Sequence, residues 1–415
     1  MHRLRILFLA ALAPALFAQG GFYLHDGDTL VFYGDSITDQ RLYTTFTETF
    51  VLTRFPGMHV RFVHSGWGGD RVGGGGGGNI DIRLRRDVIA YQPTVVTVML
   101  GMNDGRYRAF DADIFHEFAT GYEGIVHAMK AAAPHLRMTL IEPSPYDDVT
   151  RAPTFEGGYN AVLVRYGEFL RDLAQRNHVD TADLNGPVVE ALRKANTTDA
   201  DNAKKIVPDR VHPDDAGHLL MAEALLKAWK APSIVAAVEI DAVAKSAKRA
   251  DNAAVSDVQL QADGKRLSWV ETDGALPMPV NLGDSIVALA VHSSDFMEAL
   301  NQEPLKVTGL AEATYTLQID GDSVGKFNAQ ELSAGVNLAA LTTPMSKQAA
   351  QVHVLTVKHA GIHNGRWRDV QVPLEGLGID ASAAEKALDD LDERIIASQH
   401  AAAQPRAHHF ELIAE

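Results

Sequence analysis

The stretch Leu30-Val31-Phe32-Tyr33-Gly34-Asp35-Ser36-Ile37-Thr38 decides how the chain is read. Leu30 to Tyr33 form a short apolar and aromatic run suited to a buried strand, Gly34 marks its turn, and an amphipathic helix is expected from Asp39 onward. Such a turn exposes Ser36 at the C-terminal edge of a strand, beside a helix N-terminus whose unpaired N–H groups favour developing negative charge. An acyl-transfer nucleophile belongs in that position. So does a serine that merely caps a helix, and only the rest of the chain separates the two.

Outward from this stretch, residues 29–230 alternate short apolar runs with longer helical ones. Further strands are expected at 60–63, 95–100, 138–141 and 179–182, with helices at 43–54, 114–132, 159–175 and 216–230. The first helix places Tyr43, Phe46, Phe50 and Val51 on one stripe; the last does the same for Leu219, Ala222, Leu226 and Trp229 before Pro232 closes it. Strand-helix alternation implies a mostly parallel sheet covered on both faces, with its crevice outside the C-terminal strand ends. Gly73 to Gly78 are six glycines in a row. A phosphate loop would need a Lys-Ser/Thr pair and a helix after them, so they read as a flexible loop near the crevice mouth or a bare linker.

Beyond residue 230 the pattern changes. Residues 233–249 look helical, and two hairpins are expected, 255–261 with 265–272 about Asp263-Gly264 and 314–319 with 323–327 about Asp320-Gly321. Thr343-Pro344 opens a helix that aligns Met345, Ala349, Val352 and Leu355, and a last helix at 381–399 precedes a histidine-bearing tail. This divides the chain into a signal peptide at 1–20, an α/β domain at 21–231, an accessory α+β region at 232–378, and a helix and tail at 379–415. Gly283-Asp284-Ser285-Ile286 repeats the opening tetrapeptide almost letter for letter. Pro277 and Pro279 interrupt its approach, so it reads as a helix start.

The 415 residues are 46% hydrophobic, enough for a large core, and the formal net charge of −15 argues against nucleic acid or an anionic membrane surface as partner. His2, Arg3 and Arg5 precede an apolar run that ends in small residues around Ala18 to Gly21, the pattern of a secretory signal peptide. A secreted or periplasmic protein without stable membrane insertion is expected. It contains no cysteine, so its core alone must hold it.

Three further clusters fall at expected strand ends: Ser65-Gly66-Trp67-Gly68-Gly69-Asp70, Gly101-Met102-Asn103-Asp104 and Asp209-Arg210-Val211-His212-Pro213. Each alone is a common loop composition. Together they supply a nucleophile (Ser36), a base (His212), an orienting carboxylate (Asp209) and oxyanion donors in the N–H groups of Ser36 and Gly69 and the amide of Asn103. In this order and spacing the four blocks resemble the SGNH hydrolases of the GDSL esterase/lipase superfamily over about residues 26–230. The resemblance implies a flavodoxin-like α/β/α sandwich with five parallel strands. The second block departs from the family, with His64 where asparagine is frequent.

Trp67, Arg106 and Tyr107 border the crevice and could grip a sugar, although Trp67 could equally pack its own loop. Asp35 and Asp104 read as loop-fixing acceptors and Glu142 as structural. His212, Asp214, Asp215 and His218 are wrongly spaced for a metal site on one helical face, and no cofactor or metal is called for. The function expected is a secreted carboxylic-ester hydrolase acting on a small-molecule or glycan ester, foremost a carbohydrate O-acetyl esterase. The alternatives are a lysophospholipase or thioesterase of the same superfamily, or an inactive carbohydrate-binding protein.

Overall fold

In the computed structural model, which describes residues 21–415, the run at 30–33 lies within the strand Thr29–Gly34, buried from Leu30 onward. The expected signal segment lies outside the described residues. Strands follow at Arg61–Gly66, Val95–Met99, Arg137–Ile141 and Asp180–Ala182. All pair in parallel, in the order 2-1-3-4-5. The winding therefore reverses at the first strand, and an open sheet of this kind has its crevice at the C-terminal end of that strand. Ser36 lies two residues past it.

Helices flank the sheet. Leu42–Arg54 packs with Asp215–Ala228, and Ala112–Ala132 with Gly158–Asn177. The single apolar stripe expected on Leu42–Arg54 is only half of what this helix does. Nearly every residue from Tyr43 to Arg54 is buried, and Phe46, a member of that stripe, is only partly covered, its ring stacked on His353 at 5.0 Å. The cause is a second layer, the helix Pro344–Asn364, which lies against the outer side together with Ser382–Ala403. The threonines of that side stay satisfied under cover: Thr47 and Thr53 donate to carbonyls one turn back, at 2.8 Å each, and Thr49 bonds His353 at 2.9 Å.

The accessory region contains two sheets sharing one apolar core built from Val238, Ile240, Trp269, Leu305, Leu317 and Phe410 among others. Residues 233–249 are not helical. They form the strands Ala237–Asp241 and Ser246–Asp251, because Val238 and Ile240 alternate inward and pair in parallel with Leu305 and Val307. The segment is rich in alanine, a good helix former, and cross-strand packing overrides that preference. Both expected hairpins are present. The histidine-bearing tail is a strand, Ala407–Ala414, set between Arg266–Asp273 and Thr314–Ile319 in the middle of the five-stranded antiparallel sheet. Gly283-Asp284-Ser285 is a helix start, with the Asp284 carboxylate accepting from Ile286 and Val287.

Candidate active site

Strand Thr29–Gly34 ends in one short helical turn, Ser36–Asp39. Its N-cap is Asp35, whose carboxylate accepts the Ile37 N–H at 3.0 Å. The neighbouring strand end passes so close that a Cβ on Gly66 would sit 2.1 Å from the Asp39 nitrogen, so only glycine allows the turn to lie where it does. With Asp35 doing the capping, the Ser36 hydroxyl is left for another partner. That partner is His212, whose Nε2 lies 2.9 Å from Oγ across 176 residues of sequence.

His212 is held by Asp209 in a compact turn, with Arg210 in the left-handed region at φ 75°. Asp209 Oδ1 accepts the N–H groups of Val211 and His212 at 2.9 and 2.7 Å, and Oδ2 lies 2.7 Å from His212 Nδ1. Burial works against the Asp209 carboxylate, but these hydrogen bonds outweigh it and lower its pKa. The pair stays open to solvent, with side-chain exposures of 56% for Asp209 and 37% for His212. Nδ1–H on Asp209 leaves Nε2 as a lone-pair acceptor for the serine proton, the tautomer a general base requires.

The donors stand at the same rim. Asn103 follows Val95–Met99, the strand on the other side of Thr29–Gly34. Its Nδ2 donates to the Asp70 carbonyl at 3.0 Å and its Oδ1 accepts the Tyr107 hydroxyl at 2.9 Å, which fixes the amide and leaves one N–H unspent. Gly69 has φ 79°. Among the described residues neither its N–H nor that of Ser36 has an acceptor. All three lie just past the C-terminal ends of adjacent parallel strands, the rim at which Ser36 stands.

Residues 32–220 match the GDSL-like Lipase/Acylhydrolase family. This part of the chain is a GDSL-type serine ester hydrolase. The hydrolase is similar to an acetylxylan esterase of Geobacillus stearothermophilus, 26% identical over 226 residues that span 48% of this chain and 93% of the relative. Its structure resembles that of a gut microbial diltiazem-metabolizing enzyme at 27% identity and a TM-score of 0.83, covering 95% of this chain and all of the other. The second likeness extends through the accessory region.

Other parts of the expected site have different partners. Trp67 packs its loop: the Arg368 guanidinium lies over its ring at 3.5 Å, Trp367 meets it edge-on at 5.5 Å, and a Cβ on Gly77 would strike it at 2.6 Å. The glycine run is therefore not a free loop. Gly74–Gly75 and Gly78–Asn79 pair as a small hairpin, and Arg86 donates to the Gly77 carbonyl at 2.8 Å. The run needs glycine for close approach to Trp67. Arg106 is paired with Glu117, and Tyr107, in the left-handed region at φ 52°, packs beside Tyr159 while holding Asn103.

Asp214 caps the helix Asp215–Ala228, and buried His218 accepts from the Tyr43 N–H and bonds Gln40, so they do not gather with His212 around one point. Burial pushes Asp35 up to about 7 and Asp104 up to about 6, the latter while it accepts the Val72 N–H at 3.0 Å. Glu142, raised by burial, pairs with Arg171 at 2.5 Å. His64, the departure from the family pattern, lies buried between Thr44 at 2.8 Å and Glu48 at 2.9 Å. Asn364 and Arg368, which border Ser36 from the accessory region, were not anticipated. A tryptophan set among arginines, Arg366-Trp367-Arg368, was their only trace in the sequence.

Proposed function

We propose that this hydrolase is a carbohydrate O-acetyl esterase, exported from the cytoplasm, that forms an acyl-enzyme on Ser36. The unbroken line from Asp209 through His212 to Ser36 carries the proposal. His212 Nε2 takes the hydroxyl proton as Ser36 Oγ attacks the ester carbonyl, and the oxyanion is received by the N–H groups of Ser36, Gly69 and Asn103. His212 then gives the proton to the departing alcohol oxygen. Water, activated by the same nitrogen, releases acetate and restores the serine.

The crevice beside Ser36 supports a hydroxyl-rich alcohol, since the side chains that border the serine there are polar or charged throughout. The likeness to an acetylxylan esterase supports the same substrate class. Among the described residues no helix is long and apolar enough to cross a membrane. A second reading, turnover of a small drug-like molecule, draws on the whole-chain likeness to the diltiazem-metabolizing enzyme. The test is a panel of acetylated xylan, acetylated pectin, aryl esters of rising chain length, lysophospholipid and diltiazem, run on the parent and on Ser36→Ala. Acetate release from a glycan that vanishes with Ser36→Ala is expected. Rates that climb with acyl chain length, or activity that survives the substitution, would refute the proposal.

A further inference from the structure

The crevice has a wall that the GDSL domain does not supply. A groove of about 410 Å³ opens at Ser36. Asp39, Gln40 and Arg41, from the turn that carries the nucleophile, form one side. Asn364, Arg368 and Asp369 of the accessory region form the other. These three sit where the helix Pro344–Asn364 gives way to a π-helical turn, Gly365–Gln371, a feature that changes the phase of side chains along a helix and recurs at functional sites. Here it sends Trp367 inward, where Nε1–H donates to Asp87 at 2.7 Å, and Arg368 toward the nucleophile turn.

Arg368 is oriented without being used up. Its guanidinium stacks on Trp67, and Nη1 lies 3.4 and 3.3 Å from the two Asp39 oxygens, long for a charge-assisted pair. Its remaining N–H groups, Nε and Nη2, have no acceptor among the described residues. Asn364 accepts from Arg41 at 3.0 Å and keeps its own amide hydrogens unspent. Asp369 is exposed. The groove thus offers fixed donors and acceptors, and its two arginines are balanced by Asp39 and Asp369. That balance suits a neutral polyol better than an anion.

We propose that this wall binds the alcohol half of the ester, a neutral polyhydroxylated sugar, and that Arg368 is its specificity-determining residue. The proposal rests on Ser36 being the nucleophile, and two separate measurements keep the two claims apart. In the first, unesterified xylo-, manno- and galacturono-oligosaccharides are titrated calorimetrically into the full chain carrying Ser36→Ala, with and without Arg368→Ala. A neutral oligosaccharide should bind, and Arg368→Ala should weaken it about tenfold or more, the size of one charge-assisted hydrogen bond. Equal binding by both proteins, no binding of any neutral oligosaccharide, or preference for the galacturonide would overturn the proposal.

In the second, Arg368→Ala, Arg368→Lys and Asn364→Ala are compared in the Ser36 background. The ratio of kcat/KM on an acetylated xylo-oligosaccharide to kcat/KM on 4-nitrophenyl acetate should fall about tenfold for Arg368→Ala, through KM. It should fall less for lysine, which keeps the charge and loses the stacked plane. A parallel fall on both substrates would mean that Arg368 only holds the fold, and would overturn its role. Aryl acetate hydrolysis that survives Ser36→Ala would instead condemn the nucleophile and leave the calorimetric result intact.

Discussion

Asp209 divides its carboxylate between two places on the same residue: Oδ1 takes the backbone N–H of His212 and Oδ2 faces its ring Nδ1, each at 2.7 Å. One side chain thus fixes both where the histidine sits and which tautomer it holds. Asp209→Asn separates these duties. Its amide oxygen can keep the backbone bond, while its NH₂ donates to Nδ1 and moves the imidazole proton to Nε2, facing Ser36. We expect an unchanged melting temperature with kcat lower by about 10²- to 10⁴-fold. Steady-state kinetics with calorimetry checks both halves, and a large loss of stability would contradict the assignment.

Asn103 is held from two directions, by the Asp70 carbonyl and the Tyr107 hydroxyl. Asn103→Ala removes an oxyanion donor and should lower kcat by about 10²- to 10³-fold with little change in KM. Tyr107→Phe leaves the amide present but less well fixed, so a smaller loss is expected, again in kcat. If Tyr107→Phe raised KM alone, its hydroxyl would be contacting substrate and not positioning Asn103.

Burial raises Asp35 to about 7, so the acid form is favoured in the folded state. Its contribution to stability is present below its ordinary value of about 3.8 and is lost as pH rises through 7. Asparagine caps equally well and cannot ionise. Asp35→Asn should therefore leave Tm nearly unchanged at pH 3 and stabilise the protein at pH 9 by about 1–3 kcal/mol. Thermal melts at the two pH values decide it, and a gain of the same size at both would show that ionisation is not the cause.

Glu48 is one buried point at which the two halves of the chain are tied. Its carboxylate, buried on helix Leu42–Arg54, bonds His64 at 2.9 Å and receives His359 and Gln399 of the accessory helices at 2.8 Å each. Burial disfavours both ions, yet the pair outweighs it, holding Glu48 far below the usual carboxylate range and raising His359 to about 9. The His359 contribution is complete below about 6.5 and lost as pH rises through 9, whereas that of Glu48 is lost as pH falls below about 4.5. Asp392, 3.6 Å from His359, also favours the charged ring, while burial keeps His64 neutral. Glu48→Gln should cost about 3–5 kcal/mol near pH 7, and less above pH 9. Denaturant melts across that range would show a flat difference if the ion pair were absent.

A methyl group at Gly77 would have to displace Trp67 or Arg83. Gly77→Ala should cost about 1–3 kcal/mol and disturb the stacking of Arg368. Gly73→Ala, with open space around it, is the control. Comparable melting of both variants would mean that the run works through flexibility after all.

Legibility in the sequence follows the range of the forces involved. The turn at Gly34 to Ser36 and the Asp209–His212 pair are set by neighbours within a few residues, so composition and spacing reveal them. The five parallel strands are legible because burial on both faces leaves continuous apolar runs. What composition could not give depends on distant docking. Arg368 reaches the groove at Ser36 only because a helix about 300 residues away covers Leu42–Arg54. The threonines and Glu48 on that helix look like a solvated face until the cover is known. The strands within 233–249 are hidden by alanine, whose helical preference yields to pairing with Leu305 and Val307.

The strand Ala407–Ala414 lies between partners that precede it by more than 130 and by about 90 residues. The helices carrying Arg368 and His359 occupy the sequence between. Pairing at such separation is slow, because a large loop must close before any ladder bond forms. The segment that carries the accessory wall of the groove is thus enclosed in a loop that this antiparallel ladder closes. The two walls of the groove thus belong to segments closed by two different ladders, one parallel and one antiparallel.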